Sequence, residues 1–286
     1  MKEQSSNTLK NWRKYGKITG GVLLGWSFWF CLLILVLRWI NPPFTAFTLQ
    51  ENWEDLGKER YNLRQSWVPD EQLPDHLKLA VIASEDQRFR EHWGLDLAAI
   101  DKALEEKERS GRVRGASTIT QQVAKNLFLT PSQTYFRKGI EAGIAVLIEF
   151  FWTKDRILEM YLNTAEFGPG MYGVNKASEF YYGKSASELT PKQSARMATV
   201  LPSPKRIEPE PASEYVAQRS QWILRNMQQL SGIRYLPKPE PQPDTVDTLQ
   251  REPALLDSVD LAAIQDSIGL YLDSILMEIK LDSVNN

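Results

Sequence analysis

The sequence predicts a mainly α protein, with a single N-terminal transmembrane helix followed by a helical domain outside the bilayer. Three observations predict it. The run "ITGGVLLGWSFWFCLLILVL" (18–37) holds no charged residue and is closed by Arg38. From Leu77 to about Leu236, apolar residues recur at helical spacing. Sustained period-two alternation, the mark of half-buried strands, is scarce in that region.

Each segment follows in order. Residues 1–17 carry Lys2, Lys10, Arg13, Lys14 and Lys17 against the single acid Glu3. The uncharged run 18–37 matches the roughly 20 apolar residues that cross a hydrocarbon core, and exceeds the apolar stretch of a cleavable signal. No small-residue cleavage site follows it in "RWINPPF". A basic leader stays in the cytoplasm, so this is expected to be a single-pass anchor of the cell inner membrane, with the rest of the chain on the outer side. Trp26, Trp29 and Trp39 suit a membrane-embedded or interfacial segment.

Residues 38–75 read as a connecting region broken by "NPPF" and "VPDEQLPD". The helical domain is expected over 76–236. Within it, Ile140, Ile144, Leu147, Ile148 and Phe151 fall on one helical stripe. In "TPKQSARMATVL", Thr190 is an N-cap, Pro191 takes the first helical position and Gln193 completes a capping box. Prolines 237, 239, 241, 243 and 253 mark a linker over 237–254. Residues 255–286 form an amphipathic tail, with Leu261, Ile264, Ile268, Leu272, Ile275 and Ile279 on one stripe and six acids against Lys280. Anionic lipid would repel such a helix; it reads either as a docking helix for a protein partner or as a segment that packs on its own domain or stays partly disordered.

Composition excludes several classes. A net charge of −2 gives no electrostatic case for nucleic-acid binding. The single cysteine, Cys31, lies in the apolar run, so no intramolecular disulfide forms and no cysteine-based zinc site can be built. Two histidines, His76 and His92, are too few for a His-rich metal site. Phosphate-loop and dinucleotide glycine patterns are absent.

Chemistry concentrates at three places. In "AVIASEDQRFREHWG" (80–94), Glu85 continues the line of Leu77 and Val81 at i, i+4, i+8. A carboxylate on an apolar line is costly unless it is paired or has a task. In "GRVRGASTITQQVAKNLFL" (111–129), Ser117, Thr118 and Thr120 could each cap the helix that follows, yet a cap needs one hydroxyl. The surplus hydroxyls and amides, with Arg112 and Arg114 upstream and Lys125 on the helix, suit a sugar or a pyrophosphate. In "RKGIE", Glu141 could pair with Arg137 at i, i+4, but in the weaker order. Two carboxylates with cations between them suggest transfer at a sugar centre.

Five segments, "EDQRFREHWG", "GASTITQQVAKN", "RKGIEAGIAVLIE", "KDRILEMYLN" and "ARMATVLPSP", resemble in that order the five motifs of the peptidoglycan glycosyltransferase family (glycosyltransferase family 51). The resemblance spans about residues 60–230. No Ser-x-x-Lys or Lys-Thr-Gly motif follows the linker, so the chain resembles the monofunctional biosynthetic transglycosylases, whose helical ending "QWILRNM" (221–227) echoes.

The resemblance implies a lysozyme-like α-helical domain with a small membrane-facing lobe. It implies transfer of a growing lipid-pyrophosphate-linked glycan chain to the GlcNAc 4-hydroxyl of lipid II, with inversion to a β-1,4 link and release of undecaprenyl pyrophosphate. On this mapping Glu85 is the catalytic base and Glu141 the second catalytic glutamate, assisting pyrophosphate departure or orienting its counter-charges. Lys125, Arg137 and Lys138 would face the pyrophosphate, and Ser117, Gln122 and Asn126 would bind sugar or phosphate. Asp86, His92 and Arg196 fall in supporting positions. No cofactor is required, although a divalent cation such as Mg2+ could stimulate the reaction, and the tail could recruit cell-wall synthesis proteins.

Two departures are visible: Ala116 where many relatives have glycine, and Leu201-Pro202 near where bifunctional relatives carry a lysine. Phe128, Leu129 and Phe136 could dip into a bilayer, with core packing as their default. Two rival readings remain: a lytic enzyme that cleaves glycan, and an inactive membrane-tethered scaffold.

Overall fold

A computed structural model describes residues 2–51, 63–110, 115–131 and 134–235. Arg112, Arg114, the linker 237–254 and the tail 255–286 lie outside the described residues.

The described residues are almost wholly helical. Helix α1 runs from Lys2 to Leu37 and takes in the basic leader as well as the apolar run. Its 36 residues rise roughly 54 Å at 1.5 Å each, against about 30 Å of hydrocarbon. One stretch of it, Thr19–Leu37, is long and apolar enough to cross a membrane. Trp26 and Trp29 are exposed along it, and Trp39 just beyond it.

The end of α1 is docked to the domain. A helix leaves its last four carbonyls without intrahelical partners, and here each finds one. The backbone N–H groups of Arg38 and Trp39 donate to Leu35 and Val36. The Trp152 indole donates to Ile34 O at 2.7 Å, and Arg156 Nη2 donates to Leu37 O at 2.9 Å. Arg38 in turn donates to Phe151 O at 2.7 Å. Ile34 is fully buried, and Phe30 packs edge-on against Phe128 at 5.3 Å.

Helix α2 (Ala46–Glu51) starts at Thr45, whose hydroxyl accepts from Thr48 N while Thr45 N donates to the Thr48 hydroxyl. Helix α3 (Asp75–Glu85) buries Leu77, Ala80, Val81, Ile82 and Ala83. It packs on α9 (Pro191–Val200) and α10 (Glu214–Ser231). Helix α4 (Leu97–Ser110) follows. Helix α5 (Ile119–Phe128) packs on α2, on α6 (Tyr135–Phe151) and on α7 (Lys154–Thr164). Strands β1 (Glu166–Gly168) and β2 (Met171–Tyr172) form a short antiparallel hairpin ahead of α8 (Val174–Tyr182). Gly173 leads into α8 at φ +89, where a Cβ would sit 3.1 Å from Asn163 O.

The expected capping box of α9 is present: Gln193 N donates to Thr190 Oγ1, and Thr190 N donates to Gln193 Oε1. The α6 stripe differs in its first half. Ile144 and Ile148 are buried, but Ile140 is 41% exposed. The buried line through α6 instead runs Glu141, Ile144, Ala145, Ile148. Phe136, Ile140, Val146 and Phe150 form a second, outward apolar stripe. Phe128 and Leu129 pack against the core, while Phe136 is 80% exposed.

Candidate active site

The C-terminus of α3 meets the N-terminus of α5, and the joint is made by Asp86. Its carboxylate accepts from Ile119 N, a free donor in the first turn of α5, at 3.0 Å, and from His92 Nε2 at 2.9 Å. Both side chains are buried. Asp86 and His92 therefore fasten the loop between α3 and α4 to α5. Gly94 closes that loop at φ +79, with its Cα so near Ala145 that a Cβ would lie 3.0 Å from that backbone. The Gly94 carbonyl accepts from Thr118 Oγ1 at 2.6 Å.

Thr118 is the N-cap of α5, and Gln121 completes its capping box. One hydroxyl does the capping, so the others serve elsewhere. Thr120 donates to Glu149 at 2.6 Å, and Ser117 accepts from Lys138 Nζ at 2.7 Å.

The joint holds Glu85 at the wall of a cleft of ≈ 790 Å3, lined also by Ser84, Asp86, Ser117, Thr118 and Gln122. Glu85 Oε1 accepts from Ser84 Oγ at 3.2 Å and Oε2 accepts from Gln122 Nε2 at 3.1 Å. Gln122 is held in turn by the buried Tyr161, whose hydroxyl donates to its Oε1 at 3.0 Å. Burial pushes the Glu85 carboxyl above the ordinary carboxylate range, while the bonds from Gln122 and Ser84 and the charge of Arg219 pull it back. The same burial, with Glu85 nearby, holds Tyr161 well above the usual phenol range, so it stays a neutral donor.

A second group lies on α5 and α6, away from the cleft wall. Glu141 is only 2% exposed. Its Oε2 accepts from Arg137 Nη1 at 2.8 Å and its Oε1 accepts from Lys138 Nζ. Burial lowers the Lys125 ammonium below the ordinary lysine value, and Glu141 opposes that shift. The Phe47 ring of α2 covers Lys125 at 5.4 Å. Arg137 Nε is buried with no hydrogen-bond partner. Ser117 links the two groups: it lines the cleft and holds Lys138.

The structure thus brings Glu85, Asp86, Ser117 and Gln122 together at the cleft, and Lys125, Arg137, Lys138 and Glu141 together beside it. His92 and Asn126 are buried and do not line the cleft. Arg196 is engaged elsewhere: it pairs with Glu210 and is no surface arginine, its side chain being 19% exposed. Sequence reasoning missed Arg219 and Trp222, which line the cleft from α10. Their spacing of three on an amphipathic helix was the available signal, but it reads as ordinary helix surface. Among the described residues no cluster of three or more His, Cys, Asp or Glu gathers to hold a metal ion.

A family described as "Transglycosylase" matches residues 52–228. A protein named biosynthetic peptidoglycan transglycosylase from Pseudomonas putida (strain F1) is 50% identical over 208 residues, covering 72% of this chain and 87% of that protein. Proteins of the same name from Ectopseudomonas mendocina (strain ymp) and Marinomonas sp. (strain MWYL1) are each 46% identical, over 225 and 226 residues. These cover 77% and 78% of this chain, and 93% and 96% of theirs. The matched span holds the α3–α5 joint, the cleft and the cation group together, and the chain belongs to the transglycosylase family.

Proposed function

We propose that the protein polymerises the glycan strands of peptidoglycan. It would transfer a growing lipid-pyrophosphate-linked chain to the GlcNAc 4-hydroxyl of lipid II. The observation that carries this reading is the pairing of one desolvated carboxylate, Glu85, with a group of cations beside it.

Glu85 takes the proton of the acceptor hydroxyl as its oxygen attacks the anomeric carbon. The bond from that carbon to the pyrophosphate oxygen breaks as the new β-1,4 bond forms on the opposite face, so configuration inverts. A base works best with a pKa near the operating pH, and burial moves Glu85 in that direction. Gln122 and Ser84 fix the carboxylate without donating a full charge to it.

The leaving pyrophosphate gains negative charge, and Lys125, Arg137 and Lys138 are fixed positive charge for it. Glu141 acts through its neighbours: its two oxygens hold Arg137 and Lys138 in place, which makes it a positioning residue. Ser117 and Gln122, which line the cleft, supply polar contacts for sugar, whereas Asn126 is buried away from its lining. No resident metal is required. The donor set fits one poorly, because Glu141 already faces two cations and a third would be repelled. A divalent cation such as Mg2+ would arrive as counter-ion of the substrate.

Helix α1 spans the inner membrane with its basic end in the cytoplasm, and the domain works on the outer side, where a polyprenyl substrate stays in the bilayer. The outward stripe of α6 supplies a membrane-facing surface. The tail 255–286 is proposed to dock a cell-wall synthesis protein.

The test incubates detergent-solubilised protein with lipid II and separates products by size, alongside Glu85→Gln. Polymer from wild type and none from the variant supports the reading. Shortening of preformed glycan with lipid II untouched would replace synthesis by lysis, and inertness in both assays would leave a scaffold.

A further inference from the structure

Both substrates of such a transfer are anionic, since each carries a pyrophosphate and a peptide. One cation group, Lys125 with Arg137 and Lys138, sits by Glu141, and none of the three lines the cleft at Glu85. The cleft has charges of its own: Glu85, Asp86, Arg88, Asp96, Lys102 and Arg219.

Most of these are already committed. Asp86 holds His92 and Ile119 N. Asp96 accepts from Arg88 at 3.2 Å and from Ala99 N at 3.0 Å, and Arg88 also holds Glu91. Lys102 is exposed on α4, where water screens its charge. That leaves Arg219, half-buried on α10, with no carboxylate paired to it among the described residues.

Arg219 is not loose. Its guanidinium carbon lies 4.0 Å from the centroid of Trp222, one helical turn along. Stacking fixes the plane of the guanidinium and leaves its N–H edge available, the geometry that suits a carboxylate or phosphate. Trp222 is itself packed against the core, so the platform is rigid. The field of Arg219 reaches Glu85, which places both on one cleft.

We propose that Arg219, held on Trp222 in the cleft that Glu85 lines, binds an anionic group of the acceptor substrate, a carboxylate of its peptide or a phosphate. The site then holds two separate cation groups, Arg219 in the cleft and Lys125, Arg137 and Lys138 outside its lining, one for each substrate. The proposal rests on the polymerase reading given above and adds to it the residue that recognises the acceptor.

The test uses full-length protein in detergent, saturating preformed lipid-linked glycan as donor, and lipid II as the varied acceptor. Loss of a charge-assisted contact in Arg219→Ala should raise the acceptor KM by about tenfold or more, with kcat within about threefold. Arg219→Lys should recover part of the loss. An acceptor whose peptide carboxylates are amidated separates the two sources. If the Arg219→Ala penalty vanishes with it, the group is a carboxylate; if the penalty persists, it is a phosphate.

An unchanged KM, or a loss confined to kcat, overturns the proposal, because Arg219 would then act on Glu85 alone. Should Arg219→Ala fail to fold, Arg219→Gln keeps a planar group on Trp222 and makes the same measurement. Equilibrium binding of lipid II, followed by tryptophan fluorescence, reads the contact without turnover. If wild type binds but never polymerises, the polymerase reading falls, and the Arg219 contact stands or falls on whether the variant binds more weakly.

Discussion

At Glu85, catalytic readiness and stability pull in opposite directions. Burial raises its carboxyl pKa, so ionising it in the folded state costs more than in the unfolded chain. The folded state then binds more protons across the interval from the ordinary carboxylate pKa to the raised one. Stability contributed by this group falls as pH rises through that window. Glu85→Gln should therefore abolish polymerisation yet raise Tm at neutral pH, by roughly 2–4 °C for each kcal/mol relieved; a melt of both proteins checks it. Lys125 is shifted the other way, towards its neutral form at lower pH than usual. Together these shifts predict a narrow bell in the pH–kcat profile, its acid limb set by Glu85 and its alkaline limb by Lys125. Gln122→Ala removes a bond that favours the carboxylate, so the acid limb should move to higher pH. Lys125→Arg, in active protein, should move the alkaline limb up.

The elements matter through their ends. Helix α3 delivers Glu85 at its last residue and α5 delivers Gln122 in its first turns, and Asp86 ties the two ends together. Gly94 makes the tie possible because the loop passes against α6 at positive φ. Gly94→Ala combines a left-handed backbone with a Cβ 3.0 Å from Ala145. It should destabilise the domain by about 2 kcal/mol or more, measured by denaturant unfolding. At the other junction, Ser117→Ala removes the acceptor that holds Lys138 beside the cleft. The expected result is a drop in kcat of about tenfold with little change in Tm, since Ser117 is not the cap of α5.

On the scale of the whole molecule, the last turn of helix α1 is part of the folded unit. Ile34, Leu37 and Arg38 exchange hydrogen bonds with the α6–α7 junction, and α2 lays Phe47 over Lys125. A truncation beginning at residue 30 keeps the docked last turns of α1, whereas one beginning at residue 41 leaves the Trp152 indole and Arg156 without those carbonyls. The shorter protein should melt several degrees lower in detergent, each lost buried hydrogen bond being worth about 1 kcal/mol. Equal melting temperatures would show that α1 is only a tether.

The sequence by itself determined what depends on local spacing and local chemistry. Twenty uncharged residues declare a helix long and apolar enough to cross a membrane, Thr190-Pro191-Gln193 declares a helix start, and Leu77, Val81 and Glu85 declare a carboxylate aligned with a core. It also showed that "GASTITQQ" holds more hydroxyls than a cap needs, and the structure distributes them among three tasks. Tertiary structure decided what depends on which surfaces face each other. That Glu141 would lie on the buried line of α6 in place of Ile140 follows from the face that α6 turns to α5. That Arg196 would turn to Glu210 follows from a loop distant by 14 residues. Arg219 and Trp222 look like ordinary helix surface until α10 packs on α3 and brings them to the wall of the Glu85 cleft. The physical reason is range: a sequence pattern reports neighbours within a turn or two of helix, whereas desolvation and Coulomb fields act on whatever packing brings near.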